Sequence, residues 1–139
     1  MNHRSGLRRS VELGLLAMFL VGPAIHYGAS VLIYCMGAVS IAALTSCASQ
    51  SILTGAIAGG LAVGFTRGRS IDPWRTANRT GLVALVLWAV PFFVIGGITG
   101  RLGMHEVEIV VVQAAAAWLT GYVAVTAARS LFARDWQGA

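Results

Sequence analysis

Arg67-Gly68-Arg69-Ser70-Ile71-Asp72-Pro73-Trp74-Arg75-Thr76-Ala77-Asn78-Arg79 is the long polar interruption in an otherwise apolar chain. How the sequence on either side of it divides decides the fold. A helix rises about 1.5 Å per residue, so about twenty apolar residues cross a hydrocarbon core. On the C-terminal side Thr80–Gly100 and Ile109–Ala128 each meet that length, and the short turn Arg101 to Glu108 joins them. On the N-terminal side Val11–Thr66 holds 56 residues, enough for two long crossings or three short ones.

Charge separates the two counts, because cytoplasmic flanks collect Arg and Lys. An even number of N-terminal crossings places Arg4, Arg8, Arg9, Arg67, Arg69, Arg75, Arg79, Arg129 and Arg134 on one side and Arg101 alone on the other. An odd number splits the ten basic residues four against six. The expectation is therefore an all-α membrane protein with four transmembrane helices and cytoplasmic N- and C-termini. Hairpin one spans 11–66, a cytoplasmic loop 67–79, hairpin two 80–128 and a C-terminal tail 129–139, all in a single membrane domain.

Composition points the same way. The chain is 57% hydrophobic and 11% charged, with a mean hydropathy of +0.76, outside the ordinary range for a water-soluble domain of this size. Its net charge of +5 comes entirely from Arg at the ends of apolar runs, which suits lipid headgroups rather than nucleic acid. The absence of Lys suggests a GC-rich genome and a bacterial inner, or plasma, membrane. Arg4, Arg8 and Arg9 ahead of an apolar run resemble a signal-peptide start, but Glu12 opens that run and the small-residue site near Ala29 is poor. The expectation is a retained first helix. Leu44-Thr45-Ser46-Cys47 resembles a lipoprotein box but lies too deep in the chain for lipidation to be expected.

An internal repeat supports two hairpins. Gly14-Leu15-x-Ala17-x-x-Leu20 recurs as Gly81-Leu82-x-Ala84-x-x-Leu87, each shortly before a proline, Pro23 and Pro91. Gly59-x-x-Ala62-Val63-x-x-x-Arg67 recurs as Gly121-x-x-Ala124-Val125-x-x-x-Arg129. The repeat reads either as a duplicated hairpin or as chance recurrence in a chain rich in small and aliphatic residues. Mapping one half on the other places helix one near 11–31, an outer connection near 32–46 and helix two near 47–66. That connection is too apolar for a solvated loop, so a longer, tilted helix one or an interfacial segment are the alternatives.

Within the helices, Gly55, Gly59, Gly60 and Gly64 form overlapping small-xxx-small patterns, and Ala117 with Gly121 does the same on the last helix. Both read as helix-packing faces, within the bundle or between protomers. Pro23 and Pro91 remove the hydrogen bonds to the Phe19 and Leu87 carbonyls and are expected to kink their helices. Gln113 and Gln50 sit where an amide can bond across helices, and Glu12 lies within reach of Arg8 or Arg9. No metal site is expected: His26 reads as bonding a neighbouring backbone and the Glu side chains as solvated. The alternative, a metal or proton site of His26, His105, Glu106 and Glu108, rests on imidazole and carboxylate suiting divalent ions and matches no known spacing signature. Cys35 and Cys47 flank the outer connection and are read as unbridged, with a disulfide as the alternative. No mid-depth Asp, Glu, Lys or Arg is available for a proton pump, and Ser40, Ser46, Ser49 and Ser51 lack a base partner for catalysis. No cofactor motif is present.

In the polar loop, Asp72 followed by Pro73 is a helix-start signal, and Arg67, Arg69, Trp74, Arg75 and Arg79 are placed to meet headgroups. Arg67-Gly68-Arg69-x-x-Asp72-Pro73-Trp74 resembles the Arg-Gly-Lys-x-Asp-Pro-Trp-Asn loop of the Tim17 family of inner-membrane translocase subunits. The resemblance covers under a tenth of the chain. It departs from the family in an extra residue before Asp72, in Arg75 replacing Asn and in lacking a charged first helix, so no residue role is taken from it. The expected role is non-catalytic: a packing or accessory subunit whose partners are lipids and either itself, as a homo-oligomer, or a larger membrane protein. The alternative is a small oligomeric transporter, channel or holin-like pore lined by Pro23, His26, Pro91 and Gln113.

Overall fold

The computed structural model describes residues 3–34, 40–66, 72–100 and 103–131. The described residues fold into helices α1 (His3–Leu16), α2 (Gly22–Tyr34), α3 (Ile41–Thr66), α4 (Pro73–Thr99) and α5 (Met104–Leu131), with a π-helical turn, Ala17–Val21, joining α1 to α2 in one continuous rod. Among the described residues, four helical stretches are long and apolar enough to cross a membrane: Val11–Ile33, Ile41–Thr66, Pro73–Thr99 and Val107–Leu131.

The helices are longer than the hydropathy pattern suggests. In particular, residues 32–34 and 41–46 of the expected connection are helical. Ser40 explains where α3 starts: its hydroxyl accepts from the Ala43 amide at 3.1 Å and its carbonyl accepts from the Leu44 amide at 3.0 Å. An N-cap set inside an apolar run has no hydropathy signal, so the boundary drawn from the repeat falls about six residues late. The expected position of Cys35 lies outside the described residues, as do Arg67, Arg69, Arg101 and Arg134. Cys47 is buried.

The start of α4 follows its sequence signal. Asp72 accepts from the Trp74 amide at 3.0 Å, Pro73 occupies the first turn, and the helix runs unbroken from there, so that residues 73–79 of the expected loop are its first turns. Its end is set by Gly100, whose φ of 65° lies in the left-handed region that a side chain disfavours.

Successive helices run antiparallel. Gly22 faces Gly55 while Ala17 faces Gly59, and Gly81 faces Trp118 while Ala77 faces Gly121. The α1 start, the α3–α4 link and the α5 end therefore share one end of the bundle, the loop end. The links after α2 and α4 mark the opposite, turn end. Arg8, Arg75, Arg79 and Arg129 all lie at the loop end.

The core is built on small side chains. Leu13, Ala17 and Val21 of the first rod pack against Ala124, Val125 and Ala128 of α5, and Ala58 of α3, Ala84 of α4 and Ala117 of α5 meet in a second cluster under Trp88. Alanine at those three positions lets α3 approach α5 across the bundle. Among the described residues the first rod does not touch α4.

The two hairpins share direction but not register. Gly59 packs on Ala17, whereas its repeat counterpart Gly121 packs on Ala77 and Thr80, not on Ala84, the counterpart of Ala17. The π turn also belongs to the first hairpin alone: the Gly22 amide donates to the Ala17 carbonyl five residues back, just ahead of Pro23. A widened turn there moves the preceding backbone away from the proline ring and absorbs the hydrogen bond that Pro23 cannot make. Pro91 lies within α4 with no such turn.

Candidate functional site

The largest group of buried polar side chains joins α2, α3 and α5 toward the turn end. His26, on the first rod, is fully buried, and Nδ1 of its ring lies 2.6 Å from Oε1 of Gln113 on α5. The carbonyl oxygen of an amide only accepts, so in this bond Nδ1 is the donor. Nε2 is buried and has no hydrogen-bond partner among the described residues. One turn along α2, Ser30 accepts at 3.3 Å from the Ser51 hydroxyl of α3, which is also within hydrogen-bond reach of the Cys47 carbonyl. Ser30 and Ser51 are buried as well.

This cluster is positioned by the glycine contact beside it. A Cβ on Gly55 would lie 2.5 Å from the Gly22 carbonyl oxygen, and closer still to the Gly22 carbonyl carbon and the Pro23 nitrogen. A Cβ on Gly59 would lie 2.5 Å from the Ala17 carbonyl carbon. The backbones of the first rod and α3 thus touch directly, which holds Ser51 against Ser30 one turn further along. Gly121 serves the second hairpin similarly, since a Cβ there would lie 3.1 Å from the Ala77 Cα and the Thr80 hydroxyl, and Ala117 is fully buried. The other two glycines of the α3 pattern differ. A Cβ on Gly60 would reach only the flexible end of Met18 at 3.9 Å, and one on Gly64 would meet nothing within 4 Å.

The four candidate metal ligands are not assembled. His26 is level with Gln113, eight residues into α5 from His105, which is about 12 Å along the helix. His105 and Glu108 lie 3.8 Å apart on the exposed first turns of α5, and the Glu106 side chain lies outside the described residues. No group of three metal-binding side chains occurs among the described residues. Of the four residues of the pore reading, His26 and Gln113 meet, with Pro23 on the same rod as His26, whereas Pro91 is exposed on α4, which the first rod does not touch. Gln50 is exposed, and Arg8 pairs with Glu12 at 2.7 Å.

A second constellation sits on the hairpin α4–α5 toward the loop end. Trp74 and Trp118 meet edge to face with centroids 5.3 Å apart, and Tyr122 stacks on Trp118 at 5.7 Å. The Trp118 indole donates to Oδ1 of Asn78 at 2.8 Å. Beside this cluster runs a groove of about 450 Å³ lined by Asn78, Gly81, Leu82, Leu85, Ala115 and Trp118 among others. Arg75 is exposed and Arg79 half-buried on the same turns of α4.

Comparison of the chain with protein-family models, curated proteins and solved structures finds no match.

Sequence reasoning anticipated that Gln113 would bond across helices but assigned it no partner, because 87 residues separate it from His26. The aromatic cluster was missed. Its signal was present in Trp118 and Tyr122 one turn apart on α5, but pairing them with Trp74 needs the register of the hairpin.

Proposed function

We propose that this protein is a small multi-pass protein of a bacterial plasma membrane, with both termini cytoplasmic, and that its role is non-catalytic. It packs against itself or against a larger membrane protein. The observation that supports this reading best is the turn-end half of α4. Val86, Val90, Phe93, Val94, Ile95 and Ile98 are exposed on one broad face, the opposite face holds only the half-buried Trp88, Ala89 and Phe92, and between Leu85 and Gly100 only Gly96 is buried. A helix apolar on every side needs hydrocarbon or another protein around it. Gly97 in the same stretch is open, with nothing near its Cβ position, and small residues are where neighbouring spanning helices approach closest.

Native mass spectrometry after mild extraction from the parent membrane tests the reading. A defined homo-oligomer or a stable heteromeric complex is expected, and a chain released alone with lipid contradicts it.

The pore reading draws on a different observation, the unpartnered Nε2 of His26 in the interior, with buried Thr80 and Thr120 nearer the loop end. Ion or solute flux through liposomes holding the pure protein alone would favour it over the accessory role.

A further inference from the structure

We propose that the groove between α4 and α5 is a binding site for one anionic glycerophospholipid, with an acyl chain lying along Gly81, Leu82 and Leu85 and the phosphate held at Arg75 and Arg79. The proposal rests on the membrane-spanning reading and adds a particular lipid, in a particular groove, to general headgroup contact.

Position along the helix fits one leaflet. The middle of Pro73–Thr99 falls near Val86, so Leu85 lies near mid-depth and Asn78 about 12 Å toward the loop end. Half a hydrocarbon core is about 15 Å. The groove therefore starts near the polar boundary and ends near the bilayer centre, which is the course of one acyl chain.

Side-chain chemistry changes along it in the same sense. Positions 75, 78, 82 and 85 recur at helical spacing and share one face of α4. That face reads cation, amide, leucine, leucine from the loop end inward. Gly81, Ala114 and Ala115 contribute only small groups to its lining, and Trp118, packed directly over Gly81, closes one wall. Because the Trp118 indole donates to Oδ1 of Asn78, the amide nitrogen keeps two N–H donors for a phosphate or ester oxygen. Among the described residues neither Arg75 nor Arg79 forms a hydrogen bond or an ion pair. The acidic residue nearest in sequence, Asp72, accepts from the Trp74 amide, so residues 72–79 of α4 and its cap carry two guanidinium groups against one carboxylate. That balance selects an anionic headgroup over a zwitterionic one.

The test uses the full chain reconstituted in phosphatidylcholine vesicles containing roughly a tenth phosphatidylglycerol, floated on a gradient, then released in mild detergent for native mass spectrometry. Co-retained phosphatidylglycerol is expected at about fivefold its share of the bilayer, the enrichment that one guanidinium near a headgroup supplies. The double variant Arg75→Gln/Arg79→Gln should abolish the enrichment. Ala115→Phe, which fills the groove from an exposed position, should do so with both arginines in place, and added inorganic phosphate should not displace the lipid. Retention at the bilayer ratio, enrichment that survives Ala115→Phe, or displacement by phosphate overturns the proposal. Failure of the chain to float with the vesicles refutes the spanning reading instead.

Discussion

Replacing Gly55 by Ala adds one methyl group where the first rod and α3 touch backbone to backbone. The added carbon would lie 2.5 Å from the Gly22 carbonyl oxygen, against about 3.5 Å for an unstrained contact, so the helices have to separate by about 1 Å. Neither side of that contact has a flexible side chain to move, since both are backbone. Separation of this size forfeits up to about half of the dispersion energy of the surrounding atom pairs, and overpacking a tight core costs about 1–3 kcal/mol. Against this stands the better helix propensity of Ala, about 1 kcal/mol. The net expectation for Gly55→Ala is destabilisation by up to about 2 kcal/mol. Gly64→Ala meets no neighbour within 4 Å, so only the propensity gain remains and stability should be unchanged or raised by up to about 1 kcal/mol. Thermal unfolding in detergent, followed by far-UV circular dichroism, compares the two. Equal losses at Gly55 and Gly64 would refute the reasoning, because they would mean that the whole glycine stripe packs against something outside the chain.

Other expected outcomes follow from the polar contacts. A double-mutant cycle of His26→Ala and Gln113→Ala in the same melts should return a coupling energy of about 0.5–2 kcal/mol, the range for side-chain hydrogen bonds between spanning helices; additivity would show that the 2.6 Å contact carries no energy. Asp72→Ala removes the cap of α4 and should cost about 1 kcal/mol, with a shift in tryptophan emission as the turn carrying Trp74 frays. An unshifted spectrum at full stability would contradict that. Trp118→Phe loses the indole donor to Asn78 and should destabilise the α4–α5 hairpin by about 1 kcal/mol, whereas Asn78→Ala added to it should cost little more.

Much of the architecture is legible in the sequence because its apolar runs are each long enough to cross a bilayer, and the polar stretches around 67–79 and 101–108 mark where three of the helices end or begin. Asp72-Pro73 is a complete local signal and gives the start of α4 to the residue. Gly55 and Gly59 announce a close approach, yet their partners Gly22 and Ala17 do not, since a single Gly or Ala among apolar residues carries no pattern. The region from 32 to 46 was harder. Its hydropathy is uniform, and the helices on both sides extend into it until Ser40 supplies a cap that hydropathy does not register. The π turn at Ala17–Val21 is a response to Pro23 that a kink expectation describes only loosely. The alternative grouping of His26 with His105, Glu106 and Glu108 placed His26 too near the turn end: its depth is set by the register of α2 on α5, which no local feature encodes.

The central claim is a chain of four crossings that starts and ends on the cytoplasmic side. Alkaline phosphatase fused after Arg69 and after Gly103 tests it most directly in a bacterial host. The account predicts an inactive fusion at Arg69 and an active one at Gly103; activity at Arg69 would contradict it.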